Sequence, residues 1–119
     1  MANTNILTST SIFGKTATLN VTTTMANVVA NLGNSNKLFK VNSLYVSNLN
    51  ASNIANVSIA FNRGSTAAYL ARFIDVPNKS TFTAIDKNTV IFLEEGDTIQ
   101  LVANTTGDLQ AVCSYEEIG

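Results

Sequence analysis

Apolar and polar residues alternate with a period of two along most of this chain, the repeat expected when successive side chains point to opposite faces of a β-strand. Ala17, Leu19 and Val21 alternate with Thr16, Thr18, Asn20 and Thr22, which predicts a half-buried strand. Val57, Ile59 and Phe61 alternate with Ser58, Ala60 and Asn62 in the clearest instance. Ile99, Leu101 and Ala103 share one face of a further strand, and Leu109, Ala111, Cys113 and Tyr115 share a face of the next. Leu38 to Val46 is apolar on both faces, as in a central strand covered on each side. Ala68 to Val76 reads the same way apart from Arg72. Shorter strands are predicted at Phe82, Ala84 and Ile85 and from Val90 to Leu93. Thr23 to Leu32 has room for a helical turn, but the β-branched Thr22, Thr23, Thr24, Val28 and Val29 argue for extended backbone.

Turn chemistry punctuates these runs. Gly33-Asn34-Ser35-Asn36, Asn50-Ala51-Ser52-Asn53, Arg63-Gly64-Ser65-Thr66 and Pro77-Asn78-Lys79-Ser80 are four such breaks. Asp86-Lys87-Asn88, Glu95-Gly96-Asp97 and Thr105-Thr106-Gly107-Asp108 are three more. They recur about every 8 to 14 residues, the spacing of an antiparallel sandwich. The pattern therefore predicts an all-β chain, a single antiparallel β-sandwich of about seven to nine strands. Periodicity does not carry pairing order, so immunoglobulin-like and jelly-roll topologies both fit. Residues 1–13 are polar with Ile6, Leu7, Ile12 and Phe13 interspersed, and Gly14 marks a break. Residues 1–14 are accordingly expected to form an extended N-terminal arm, and residues 15–119 the sandwich domain.

Composition adds that the outer faces are neutral. A chain of 119 residues fits one domain with its own core. Its charged fraction of 13% is about half the usual share, and Asn, Ser and Thr take up the difference. A surface of this kind repels other proteins weakly, which favours permanent assembly. What charge there is divides along the chain. Before Asp75 all charged side chains are cations: Lys15, Lys37, Lys40, Arg63 and Arg72. From Asp75 onward eight acids face only Lys79 and Lys87. Either the two halves meet different partners, or folding interleaves them and cancels the asymmetry. A sequence pI of about 5.1 without a basic cluster argues against nucleic acid as a partner.

The lone Cys113 implies no internal disulfide and no oxidising compartment. No apolar run approaches a membrane span of ~20 residues. The start lacks the charged and apolar regions of a signal peptide, so synthesis in a cytoplasm is expected, with no membrane partner. The sequons at Asn20, Asn50, Asn56, Asn78 and Asn104 are read as unglycosylated on the same ground.

Candidate chemistry is sparse. Glu94, Glu95 and Asp97 bracket Gly96 and form the densest carboxylate group. Hard cations bind several oxygens, but the group lacks the alternating acids of an EF-hand loop and reads better as a solvated hairpin turn. Cys113 has no His to activate it, since the chain contains none, and in strand register it is a small core residue. No pair of acids marks a glycosidase cleft. The reading is therefore no enzyme, no cofactor and no metal. The aromatic residues fall mostly on apolar faces and are expected in the core, with Tyr69 and Phe82 the two to examine for exposure. Contacts with partners are expected through Ile6, Leu7, Ile12 and Phe13, by apolar burial, and through Glu94, Glu95 and Asp97, by charge.

Several phrases resemble a known group. Lys40-Val41-Asn42-Ser43-Leu44-Tyr45-Val46-Ser47-Asn48, Tyr69-Leu70-Ala71, the run from Ile74 to Ser80 and Ile85-Asp86-Lys87 are four of them. Leu93-Glu94-Glu95-Gly96-Asp97 and Ser114-Tyr115-Glu116-Glu117 complete the set. Over roughly residues 15–119 these are similar to small virion structural proteins of marine tailed bacteriophages, especially those infecting cyanobacteria. The resemblance implies a β-sandwich subunit present in many copies on a virion. It would assemble with itself and with a major capsid, portal, neck or tail protein, as a capsid decoration or cement protein or a head–tail neck subunit. The alternative is a glycan- or receptor-binding module of a tail fibre or spike. The resemblance carries no site residues.

Overall fold

In a computed structural model, described here for residues 4–119, nine strands follow a short 3-10 turn at Ile6–Thr8. They are β1 (Ile12–Val21), β2 (Ala26–Ala30), β3 (Leu38–Asn48), β4 (Ala55–Arg63) and β5 (Thr66–Val76), then β6 (Thr81–Ile85), β7 (Ile91–Leu93), β8 (Asp97–Ala103) and β9 (Leu109–Ile118). One sheet has the order β1-β9-β3-β6, with β7 also paired to β3, and the other has the order β2-β8-β4-β5. Every pairing is antiparallel. Within Thr23 to Leu32, the residues Ala26–Ala30 form strand β2, as the β-branched residues predict, after a bend at Thr23 and Thr24.

The order settles the topology. The chain changes sheets from β1 to β2, from β2 to β3 and from β3 to β4, and β8 and β9 return to lie beside β2 and β1. Such wrapping is that of a jelly roll. The immunoglobulin-like alternative, with its ABED and CFG sheets, does not have this strand order and is excluded. Only β4 and β5 form a tight hairpin, closed by Arg63 opposite Thr66, and Gly64 supplies the positive φ that its two-residue loop requires.

The core is aliphatic. Val41, Leu44 and Val46 of β3 and Leu109, Ala111 and Cys113 of β9 meet Val57 and Ile59 of β4 and Ile99 and Leu101 of β8, all buried. Strand β8 follows the period of two from end to end. Two expectations fail on the other strands. Ala68 to Val76 is an exposed sheet edge instead of a covered central strand: β5 pairs only with β4, and Ala71 and Val76 are its buried residues. Its apolar side chains resemble those of a central strand, and periodicity cannot distinguish the two. The aromatic residues also lie mostly outside. Phe39 alone is in the buried core, while Phe61, Phe82 and Tyr115 pack against it half-covered. Phe13, Tyr45, Tyr69, Phe73 and Phe92 are exposed.

The abundant asparagines hold loops. Asn48, buried at the end of β3, donates to the carbonyls of Asn53 and Val76 at 2.9 Å, and its Oδ1 accepts from the Asn50 backbone N–H. Asn31, also buried, donates to the carbonyls of Lys37 and Leu93. Asn48→Ala leaves two carbonyls and a backbone N–H without their partner and is expected to cost about 2 kcal/mol in a urea melt. A cost within about 0.5 kcal/mol, as at an ordinary surface site, would show that water satisfies these groups equally well.

Candidate interaction surfaces

The N-terminal segment is pinned at its C-terminal end. The backbone N–H groups of Thr10 and Ser11 donate to the Gly119 carbonyl, and the Gly119 N–H donates to Ser11. Asn5 caps the 3-10 turn by accepting from the Leu7 N–H at 3.0 Å. This arrangement leaves Ile6 50% and Leu7 94% exposed, with no packing against the sandwich core. The arm boundary expected at residue 14 moves to Ser11, because Ile12, Phe13 and Gly14 pair with Ile118, Glu117 and Glu116 as the first residues of β1. Ile12 and Phe13 remain exposed there, and the Lys37 ammonium lies 6.0 Å from the Phe13 ring centre. Residues 1–3 of the expected arm lie outside the described residues.

The acidic turn is built differently from the solvated hairpin read in the sequence. Gly96 takes φ 88 in a turn closed by the Asp97 N–H donating to the Glu94 carbonyl. Asp97 is buried and accepts from Arg63 Nε at 2.9 Å, from Arg63 Nη2 at 2.7 Å and from the Glu94 backbone N–H at 2.8 Å. Arg63 Nη2 also bonds the Glu94 carboxylate. Glu95 is buried, and its Oε1 has no hydrogen-bond partner among the described residues. The expectation of exposed acids is thus corrected for Asp97 and Glu95. Register explains why: β4 and β8 pair with Arg63 directly opposite Asp97, which draws the carboxylate inward. Among the described residues, no three His, Cys, Asp or Glu side chains gather as a metal site requires.

The division of charge along the chain is offset in part by this topology. Lys15 on β1 bonds Glu117 on β9 at 3.0 Å. Lys40 on β3 stands opposite Glu116 in the β3–β9 register, and Arg63 holds Glu94 and Asp97. The jelly roll places its first strands beside its last, so basic front meets acidic back inside one subunit.

A third surface was not found in the sequence as a group. On β5, Arg72 lies over the rings of Tyr69 and Phe73 at 4.4 and 4.8 Å. Leu70 and Ile74 beside them are exposed. Phe73 takes φ 52 at an irregularity where its N–H donates to Ser58 Oγ. Of the two rings singled out beforehand, Tyr69 is exposed and Phe82 packs against the core. The sequence signal for the group was Arg72 standing between Tyr69 and Phe73, hidden because the stretch reads as core.

Two open hollows also indent the surface. One, of about 260 Å³, is lined by hydroxyl and amide side chains such as Thr4, Asn5, Thr8 and Asn36. The other, of about 320 Å³, lies between Asn20, Thr22, Thr106 and Gln110. Neither has a titratable side chain in its lining.

No family model and no curated protein matches the chain. Solved structures do. A subunit of the disulfide-linked pili of Bacillus endospore appendages superposes with a TM-score of 0.56 at 17% identity, over 99% of this chain and 93% of that one. A protein from the acid-stable capsid of Helicobacter pylori bacteriophage KHP30 superposes with a TM-score of 0.53 at 14% identity, over 93% of this chain and 90% of that one. The likeness is one of fold. In this chain the single cysteine, Cys113, is buried on β9.

Burial pushes the Cys113 thiol up from 9.0 to about 12. Nearby, the Tyr115 phenol is raised by burial and by the Glu117 charge, and the Lys15 ammonium by its hydrogen bond to Glu117 and the accompanying attraction. Each group holds its proton more tightly in the folded state than in the unfolded one. The associated stability is therefore fully present below the unfolded values and is lost as pH rises through the folded ones. Thermal midpoints are expected to stay level to about pH 8 and to fall progressively between about pH 9 and 12. A level midpoint up to pH 12 would contradict this.

Proposed function

We propose that this chain is a non-enzymatic structural subunit of a tailed-phage virion, a capsid decoration or cement protein or a head–tail neck subunit. The observation that carries the reading is the placement of its aromatic residues. A sandwich of this size ordinarily hides such rings, yet five of them, with Ile6, Leu7 and Ile12, stand on the surface of a chain that is only 13% charged. Exposed aromatic and aliphatic side chains beside Arg have the composition of protein–protein contacts. The fold likeness to a phage capsid protein and to a pilus subunit supports a role in assembly. The marine-phage detail rests on the strand and turn phrases alone. The partners are further copies and other virion proteins, and the location is the virion.

Because the chain is only 13% charged, and Lys15 and Arg63 are already bound to acids within the subunit, apolar contacts and hydrogen bonds carry the affinity. Raising salt from about 0.1 to 1 M, which shortens the Debye length from about 10 to 3 Å, is expected to change incorporation less than about twofold. Loss of incorporation at high salt would instead show charge steering between subunits. The competing reading, a glycan-binding module of a fibre or spike, would use the exposed Tyr69 and Phe73 rings. Glycan-array binding that is abolished by Tyr69→Ala, in a protein missing from virions, would favour it.

A further inference from the structure

We infer that β1 is a self-pairing edge, joining two copies of this chain antiparallel, β1 against β1, across a two-fold axis. The inference rests on the reading of the chain as an assembling subunit and names a contact it would use. A free sheet edge is a template for another strand, and proteins blunt such edges by shortening, kinking or charging them. Three of the four edges here are blunted. β2 has five residues and a register shift after Asn27. β6 and β7, of five and three residues, divide one edge between them, and the register of β6 shifts beside Leu44. β5 is long, but its register shifts twice and Phe73 sits at φ 52.

β1 is not blunted in this way. Its ten residues pair with β9 from Ile12 opposite Ile118 to Val21 opposite Leu109 without a shift, and they include no proline. Ile12 through Thr16 are exposed in an unbroken row. Its single charge, Lys15, is the residue type that ordinarily protects an edge. Here its ammonium is bound to Glu117 on β9, the strand on the side away from the free edge.

The occupant follows from the other strands. A second copy's β5 would leave residues unpaired at both irregularities, and its β2, β6 and β7 are half as long as β1 or shorter. Among the described strands that lie at an edge, only β1 matches β1 in length and regularity. An axis normal to the sheet at Ala17 sets Phe13 opposite Val21, Lys15 opposite Leu19 and Thr16 opposite Thr18. The core faces then stay on one side, the two sheets become continuous, and no like charges oppose. A ladder from Phe13 to Val21, about 31 Å long, would bury on the order of 1,000 Å² in total, at the small end of specific interfaces. Association in solution is therefore expected to be weak, strengthened on a particle by multiple contacts.

Analytical ultracentrifugation of the full chain tests this. Wild type is expected to pass from monomer to a discrete dimer between about 1 and 300 μM. Thr18 is exposed, and Thr18→Lys and Thr18→Glu place like charges near one another across the axis, so each is expected to weaken dimerisation about tenfold. An equimolar mixture of the two, both checked as folded by circular dichroism, should recover it. A wild type monomeric throughout, an open-ended polymer, variants that dimerise normally, or a mixture that does not recover would each overturn the pairing. A chain monomeric in solution but abundant in virions would refute the β1 contact alone. A β1 dimer missing from virions would refute the virion role and leave the contact standing.

Discussion

Asp97→Ala is expected to lower the unfolding free energy by about 2–4 kcal/mol, in the range of losing charged hydrogen bonds at a buried site. The side chain accepts from two Arg63 nitrogens and from the Glu94 N–H, so its removal frees the end of β4 from the start of β8 and opens the β7–β8 turn. For a chain of 119 residues this corresponds to a fall in melting temperature of roughly 8–16 °C. Asp97→Asn, which keeps the shape and an acceptor, should fall between. Glu94→Ala, altering the more exposed partner, should stay within about 1 kcal/mol of wild type. Reversing Glu94, Glu95 and Asp97 together to Lys should therefore unfold the protein, not merely weaken its contacts. An Asp97→Ala variant that melts with wild type would show that Arg63 and Asp97 contribute nothing net.

The second large effect concerns assembly. Deleting residues 1–11 should leave a folded sandwich, because β1 begins at Ile12 and, among the described residues of the deleted segment, Thr4, Thr10 and Ser11 make the hydrogen bonds to the rest of the subunit. Incorporation into particles should nevertheless fall at least about 100-fold. Ile6 and Leu7 have no place in the subunit's own core, and burying each on a neighbour is worth roughly 1.5–3 kcal/mol, about tenfold or more apiece. Ile6→Ser with Leu7→Ser should reproduce most of the loss without shortening the chain. If the truncated protein occupies particles at wild-type levels, the N-terminal segment is not an assembly arm.

Much of the fold was legible because strands β8 and β9 bury one face for most of their length, and a period of two records that directly; β4 is covered on both sides from Val57 to Ala60. The topology was not, since β1 pairs with β9 from the opposite end of the chain through contacts that leave no local trace. The same gap hid the fate of the charges. Lys15 and Glu117 are unrelated in sequence but lie on adjacent strands, and Arg63 meets Asp97 across a pairing that periodicity cannot supply. It also misplaced β5. Tyr69, Leu70, Phe73 and Ile74 look like core because hydrophobicity is shared by cores and by surfaces that stick to other proteins. Ile6, Leu7, Ile12 and Phe13 were readable as candidate contacts because they interrupt a polar segment. The buried Asp97 was misjudged because a carboxylate next to a glycine usually marks a solvated turn.

Quantitative mass spectrometry of purified particles decides whether the chain is a built-in part of a virion. The protein is expected as a stoichiometric component that persists through density-gradient purification, at hundreds of copies for a capsid protein or about a dozen for a neck subunit. Absence from purified particles, with the protein found only in infected-cell lysate, would contradict it.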